Sequence, residues 1–221
     1  IIFGCDEESG FEDLKYYLDH EKAPIAGFTP DCKYPVVYAE RGRAVIKVKA
    51  DLDHLITFMN KYILNTQNKG ERLGIDYKND EFGQLEIRNY HLTKEDFSFS
   101  ISYPAGLTLE EILDKLNRIE GYEYEVVSHF KPVYFDKKAP MVEIMKETYE
   151  YVTGNDGTPV TTTGGTYAKM MPHIVPFGPS FPGQKGIGHN PNEWMTREDL
   201  ITNAKIYALT LYQLSRKDTE L

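Results

Sequence analysis

The stretch that decides the fold is "RAVIKVKADLDHLITFMNKYI", Arg43 to Ile63. Its first eight residues alternate as a half-buried strand does, and the spacing from Asp51 onward changes to that of an amphipathic helix. Two further alternating runs follow, "GQLEIRNYHL" (83–92) and "EDFSFSISYP" (95–104). Next comes "LTLEEILDKLNRIEG" (107–121), a helix opening near Thr108 with Glu111 three residues on, the pattern of a capping box. "EYEVVSHF" (123–130) closes the series as a strand.

The order β-α-β-β-α-β is that of a ferredoxin-like module, predicted here over residues 43–130. The flanks read as a different kind of structure. "IIFGC" (1–5) reads as a short buried strand, and "GFEDLKYYLDH" (10–20) has apolar residues at helical spacing. Beyond the module, "APMVEIMKETYEYVTG" is a helix ending at Gly154, "HIVPFGP" is a strand, and a last helix runs from "MTREDL", with Thr196 and Asp199 as a capping box, to about Arg216. The fold class is therefore α/β. A domain of mixed sheet flanked by helices, residues 1–42 and 131–221, carries the module as an insertion.

Composition narrows the function. With 25 basic and 34 acidic residues the net charge is −9, and the basic residues are scattered. Nucleic-acid binding, which needs them clustered, is not expected. No run approaches the ~20 apolar residues of a membrane helix. Two cysteines, Cys5 and Cys32, form neither a disulfide framework nor a CxxC pair and suit a reducing cytoplasmic setting. The phosphate-loop, GxGxxG and GxSxG patterns are absent.

Candidate chemistry gathers where strands end. Asp6, Glu7 and Glu8 follow "IIFGC" directly, at the strand-to-helix junction where α/β sheets bind ligands. Adjacent glutamates point different ways, so one could ligate a metal while the other accepts a proton from water. Equally, they could form an acidic cap for the helix that follows. Asp31 in "TPDC" is a turn acid or a ligand. His189 sits in "GIGHNPNEW" among glycines, prolines and asparagines, a setting unlike a packed core. "TTTGGT" offers hydroxyls and backbone N–H groups able to cradle a carboxylate or oxyanion, or simply makes a turn.

Taken in order, "GCDEESG", "TPDCKYPV", "TTGGTYAKMMP" and "GHNPNEW" resemble the motifs of the di-zinc metallopeptidases. That family includes Xaa-His dipeptidases, carnosinase-type enzymes, aminoacylases and succinyl-diaminopimelate desuccinylases. The bacterial dipeptidase branch is the most similar. The resemblance implies a zinc-peptidase catalytic domain with the inserted module as a lid, in a family that includes both monomers and homodimers formed through the lid. It implies Glu7 as general base acting on the metal-bridging water, and Glu8, Asp31 and His189 as metal ligands. Thr163, Gly164, Gly165 and Thr166 would bind the substrate carboxylate or steady the reacting carbonyl. The cofactor would be two zinc ions, with cobalt or manganese as substitutes. The expected activity is hydrolysis of dipeptides, and the alternative on the same scaffold is deacylation of N-acyl amino acids.

The departures are specific. The family's H-x-D pair and bridging aspartate should lie upstream of the double glutamate, and no H-x-D occurs anywhere in this sequence. The lid's arginine before "YP" is replaced by Ser102, and no matching lid histidine is found. These gaps predict a chain that is part of a longer protein and does not assemble two metals alone. They also leave open a non-catalytic relative with an incomplete site.

Overall fold

The computed structural model describes residues 1–184 and 188–216. The chain divides into two compact units, Ile1–Ala39 with Tyr134–Leu221, and Glu40–Val133.

The second unit is built on strand Gly42–Lys49. Its inward positions Ala44, Ile46 and Val48 are wholly buried, as a period of two requires. In space this strand lies between Asp96–Tyr103 and Glu123–Phe130, and Glu86–Leu92 completes the sheet beyond Asp96–Tyr103. Every neighbouring pair is antiparallel, with Ile46 opposite Phe99 and Val48 opposite Phe97. Numbered along the chain, the four strands lie in the order 2-3-1-4.

Two helices cover one face. Helix Leu52–Phe58 starts where the Asp51 side chain accepts the His54 N–H at 3.0 Å, and it buries Leu55 and Phe58. It widens into a π turn, Met59–Ile63, which brings Ile63, five residues past Phe58, into the same core. Helix Leu109–Leu116 carries the full capping box. Thr108 Oγ1 accepts the Glu111 N–H at 3.2 Å, and the Glu111 carboxylate accepts the Thr108 N–H at 2.8 Å.

The first unit has shorter strands. Gly27–Thr29 pairs in parallel with Ile174–Pro176, and Cys32–Lys33 pairs in parallel with Pro179–Ser180. Val37–Glu40 lies between Val133–Tyr134 and Val160–Thr162. Helix Pro140–Thr153 opens on a proline, whose missing N–H costs nothing there, and stops at Gly154 with φ 70°. It buries Met141, Val142, Met145 and Tyr149 in a core shared with Tyr34, Val175, Phe177 and Ile206 of helix Arg197–Leu214. Among the described residues no helix is long and apolar enough to cross a membrane.

The expected strand at residues 1–5 is absent. No described strand pairs with these residues, and Ile1 and Phe3 are almost fully exposed. Apolar sequence alone does not make a strand, because a strand's backbone groups need a ladder partner.

Candidate active site

The three acids divide their labour. The Asp6 carbonyl oxygen accepts the N–H groups of Ser9, Gly10 and Phe11 at 3.3, 3.2 and 3.0 Å, folding the chain into a tight turn. The Asp6 carboxylate accepts the N–H of Glu12, first residue of helix Glu12–His20, at 3.0 Å. The helix-capping role thus falls to Asp6, and Glu7 and Glu8 lie in the 3-10 turn Glu7–Ser9 ahead of it. Glu8 is exposed and Glu7 half-buried. The turn ends on Phe11 at φ 65°, a left-handed conformation unusual for so bulky a residue. Its buried ring packs 5.7 Å from that of Tyr167.

Behind the turn lies a pair that the sequence motifs do not reveal. Asp13 Oδ2 accepts the Cys5 N–H at 2.6 Å, the Asp6 N–H at 3.1 Å and the Tyr167 hydroxyl at 2.6 Å. Burial works to raise the Asp13 pKa, but these bonds to its charged form outweigh that and hold it below the ordinary value. Burial and then the bond to Asp13 push the Tyr167 phenol up to about 12. Gly4 closes over the pair so tightly that a Cβ there would run into the Tyr167 hydroxyl and the Asp13 carboxylate.

Tyr167 also ties this turn to the Thr/Gly loop. Thr166, 2% exposed, accepts the Ala168 N–H on Oγ1 at 3.2 Å and so caps the 3-10 helix Tyr167–Lys169. Thr163, Gly164 and Gly165 are exposed in the preceding bend. Neither glycine has a left-handed φ. At Gly165 the lack of a side chain provides room, since a Cβ there would lie 3.1 Å from the Lys169 side chain.

Asp31 and His189 come from distant parts of the sequence to the neighbourhood of Glu8. His189 Nδ1 lies 3.6 Å from Glu8 Oε1, both side chains largely exposed. The His189 backbone is left-handed, φ 59°, and its N–H donates to Glu193 Oε2 at 3.1 Å. Asp31 precedes strand Cys32–Lys33. Its residue surface is open to water, yet the protein packed around its carboxyl, and next the charge of Glu8, raise its pKa while His189 opposes them. Three potential donors thus share one electrostatic neighbourhood.

Residues 1–213 match the model of peptidase family M20/M25/M40. The chain belongs to this family. A Staphylococcus aureus (strain USA300) protein, provisionally named a dipeptidase, is 28% identical over 194 residues, covering 81% of this chain and 41% of that one. The chain thus spans about two fifths of the length of the curated relatives it matches. The dipeptidase Dug1p of Saccharomyces cerevisiae matches 95% of this chain and 64% of its own at TM-score 0.60 and 13% identity. Human carnosine dipeptidase 1 matches 92% and 62% at TM-score 0.58 and 13% identity. At such identities the two structures speak for the M20 fold alone.

M20 peptidases are metal-dependent. Carboxylates and an imidazole are donors that zinc accepts, so Glu8, Asp31 and His189 fit in kind. They are not drawn together, since no three His, Cys, Asp or Glu among the described residues are grouped to hold an ion. A zinc site of this kind keeps three or four protein ligands.

Proposed function

We propose that the whole protein containing this chain is a cytoplasmic zinc-dependent dipeptidase, and that this chain supplies part of its metal site. The observation that carries the reading is the 3.6 Å approach of Glu8 and His189, with the charges of both acting on Asp31, and with Glu7 adjacent in the same turn. Family membership and the dipeptidase-named relative support it. Glu8, Asp31 and His189 would hold zinc with ligands from outside this sequence, which lacks an H-x-D pair. Zinc held there would lower the pKa of a bound water and polarise the scissile carbonyl. Glu7 would take a proton from the attacking water on its carboxylate and deliver it to the leaving amine nitrogen. Thr163, Gly164 and Gly165, exposed in the bend ahead of Thr166, would receive the substrate carboxylate, and buried Thr166 holds their loop in place.

The unit Glu40–Val133 is the lid of this reading, a ferredoxin-like module over residues 43–130 inserted between catalytic segments 1–42 and 131–221. The antiparallel strand order 2-3-1-4 with two helices on one face supports it. Its edge strands Glu86–Leu92 and Glu123–Phe130 are the surfaces through which a homodimer would form.

The test is Glu7→Gln in the whole protein. Dipeptide hydrolysis falls about 10²–10⁴-fold, the usual worth of a general base, with zinc content unchanged. Chelation abolishes wild-type turnover and added zinc restores it. Wild-type turnover in Glu7→Gln overturns the assignment. A second reading, a relative that keeps the fold without turnover, is favoured by the open donor set. It predicts neither zinc uptake nor hydrolysis by the whole protein.

A further inference from the structure

We infer that Asn203 is a positioning residue for the metal-binding face, tying the segment that carries Asp31 to both stems of the loop that carries His189. This inference rests on the dipeptidase reading, because it concerns the ligands proposed there.

The geometry starts with burial. Asn203, on helix Arg197–Leu214, is 2% exposed, so each polar atom of its carboxamide needs a partner. Its Oδ1 accepts the Tyr34 hydroxyl at 2.6 Å. Its Nδ2 donates to the Pro179 carbonyl oxygen at 3.2 Å and approaches the Met195 sulfur at 3.7 Å. A carbonyl and a thioether only accept, so the amide has one orientation that satisfies all three contacts.

Those contacts fall at telling places. Tyr34 stands three residues after Asp31. Pro179 stands ten residues before His189, and Met195 six after it. The Asp31 segment and the Pro179 segment are further locked by backbone bonds, Cys32 N–H to Gly178 O at 2.5 Å and Tyr34 N–H to Ser180 O at 2.7 Å. The Tyr34 ring is held by Tyr149, Phe177 and Phe181, with centroids 5.0, 5.0 and 4.9 Å away. One amide therefore joins a rigid aromatic block next to Asp31 with the entry and exit of the His189 loop. Backbone pairing fixes the entry side, and on the exit side Asn203 approaches Met195, just ahead of the Thr196 cap of its own helix.

Residues bonded directly to a metal ligand are typically worth 10–100-fold in metal affinity. Asn203 acts one step further out, through Tyr34, Pro179 and Met195, so the lower end of that range is expected. The experiment measures zinc affinity of the whole protein, by competition with a chromogenic chelator, together with thermal midpoints. Asn203→Leu keeps the volume and removes every bond; zinc affinity falls at least tenfold. Tyr34→Phe removes one hydroxyl and leaves the Pro179 side intact; affinity falls by a smaller factor of about three to ten. The control is Thr210→Val on the same helix. Thr210 is fully buried, with no hydrogen-bond partner for its hydroxyl among the described residues. That variant keeps zinc affinity within twofold of wild type.

Wild-type zinc affinity in Asn203→Leu, whatever its thermal midpoint, overturns the inference and leaves the dipeptidase reading standing. An equal loss in Thr210→Val also overturns it, by showing that any lesion in this helix suffices. If Asn203→Leu does not fold, Tyr34→Phe decides, and unchanged affinity there overturns the inference. A wild-type protein that takes up no zinc overturns the dipeptidase reading itself, and this inference with it.

Discussion

The run Asp6-Glu7-Glu8 illustrates how like charges in sequence acquire unlike roles. Asp6 is consumed by backbone, closing the turn with its carbonyl and capping helix Glu12–His20 with its carboxylate. Sequence offered two readings of the cluster, cap and ligand, and the structure assigns the cap to one residue. What sequence could not show is Asp13, because its worth lies in convergence: three donors from Cys5, Asp6 and Tyr167, 154 residues away, meet one oxygen. Tyr167→Phe removes one of these bonds and is expected to cost about 1–2 kcal/mol at neutral pH. The pH dependence has a definite sign. Asp13 titrates below its ordinary 3.8 in the folded protein, so its stabilisation is complete above that value and is lost as pH falls through the folded pKa. Once Asp13 is protonated in both proteins, the variant has less left to lose. Urea unfolding followed by circular dichroism from about pH 7 down to pH 3 should therefore show the difference narrowing with acid. A difference that stays constant would mean that Asp13 is not the partner that matters.

At the scale of elements, much of what depends on near neighbours was legible. The Thr108/Glu111 capping box, the Gly154 stop and the alternation of Arg43–Ala50 are all present as read, since caps and periodicity are set within four residues. Thr108→Ala leaves the Glu111 N–H without its acceptor and should cost about 1 kcal/mol, measured by urea unfolding. Thr196 shows the limit of such reading. Its Oγ1 accepts the Asp199 N–H at 3.0 Å, but the Asp199 carboxylate turns away to accept from Gln184 Nε2 at 3.0 Å, so the reciprocal half is missing. Non-local demands account for the other misses. The run Ile1–Cys5 has strand composition without a ladder partner, and the helix begun at Leu52 widens into a π turn where the core draws in Ile63. Motifs named candidate ligands, whereas the contacts of Tyr167 and Asn203 were not legible, because they join segments remote in sequence.

For the whole molecule, the division into two units turns on which core belongs to which stretch of chain. The core of the second unit runs from Ala44 to Leu116, and every buried member lies within Glu40–Val133. The same holds for its sheet, whose four strands begin and end inside those limits. Its aromatic centre is likewise internal, Phe58 packing against Tyr62, Phe97, Tyr122 and Tyr124. The first unit differs, since its core combines Tyr34 and Val36 with Met141 to Ile206 and so needs both ends of the chain. A polypeptide of residues 40–133 should therefore fold alone, having a closed core and paired strands within the size range of natural small domains. Urea should unfold it in one cooperative transition with a slope of about 1 kcal/mol/M, coincident by fluorescence and circular dichroism. The segment 134–216 alone should not do so, because without Tyr34 and Val36 its helices would expose the apolar faces that these residues cover. Non-coincident or gradual unfolding of the 40–133 piece would show that its core depends on the rest of the chain.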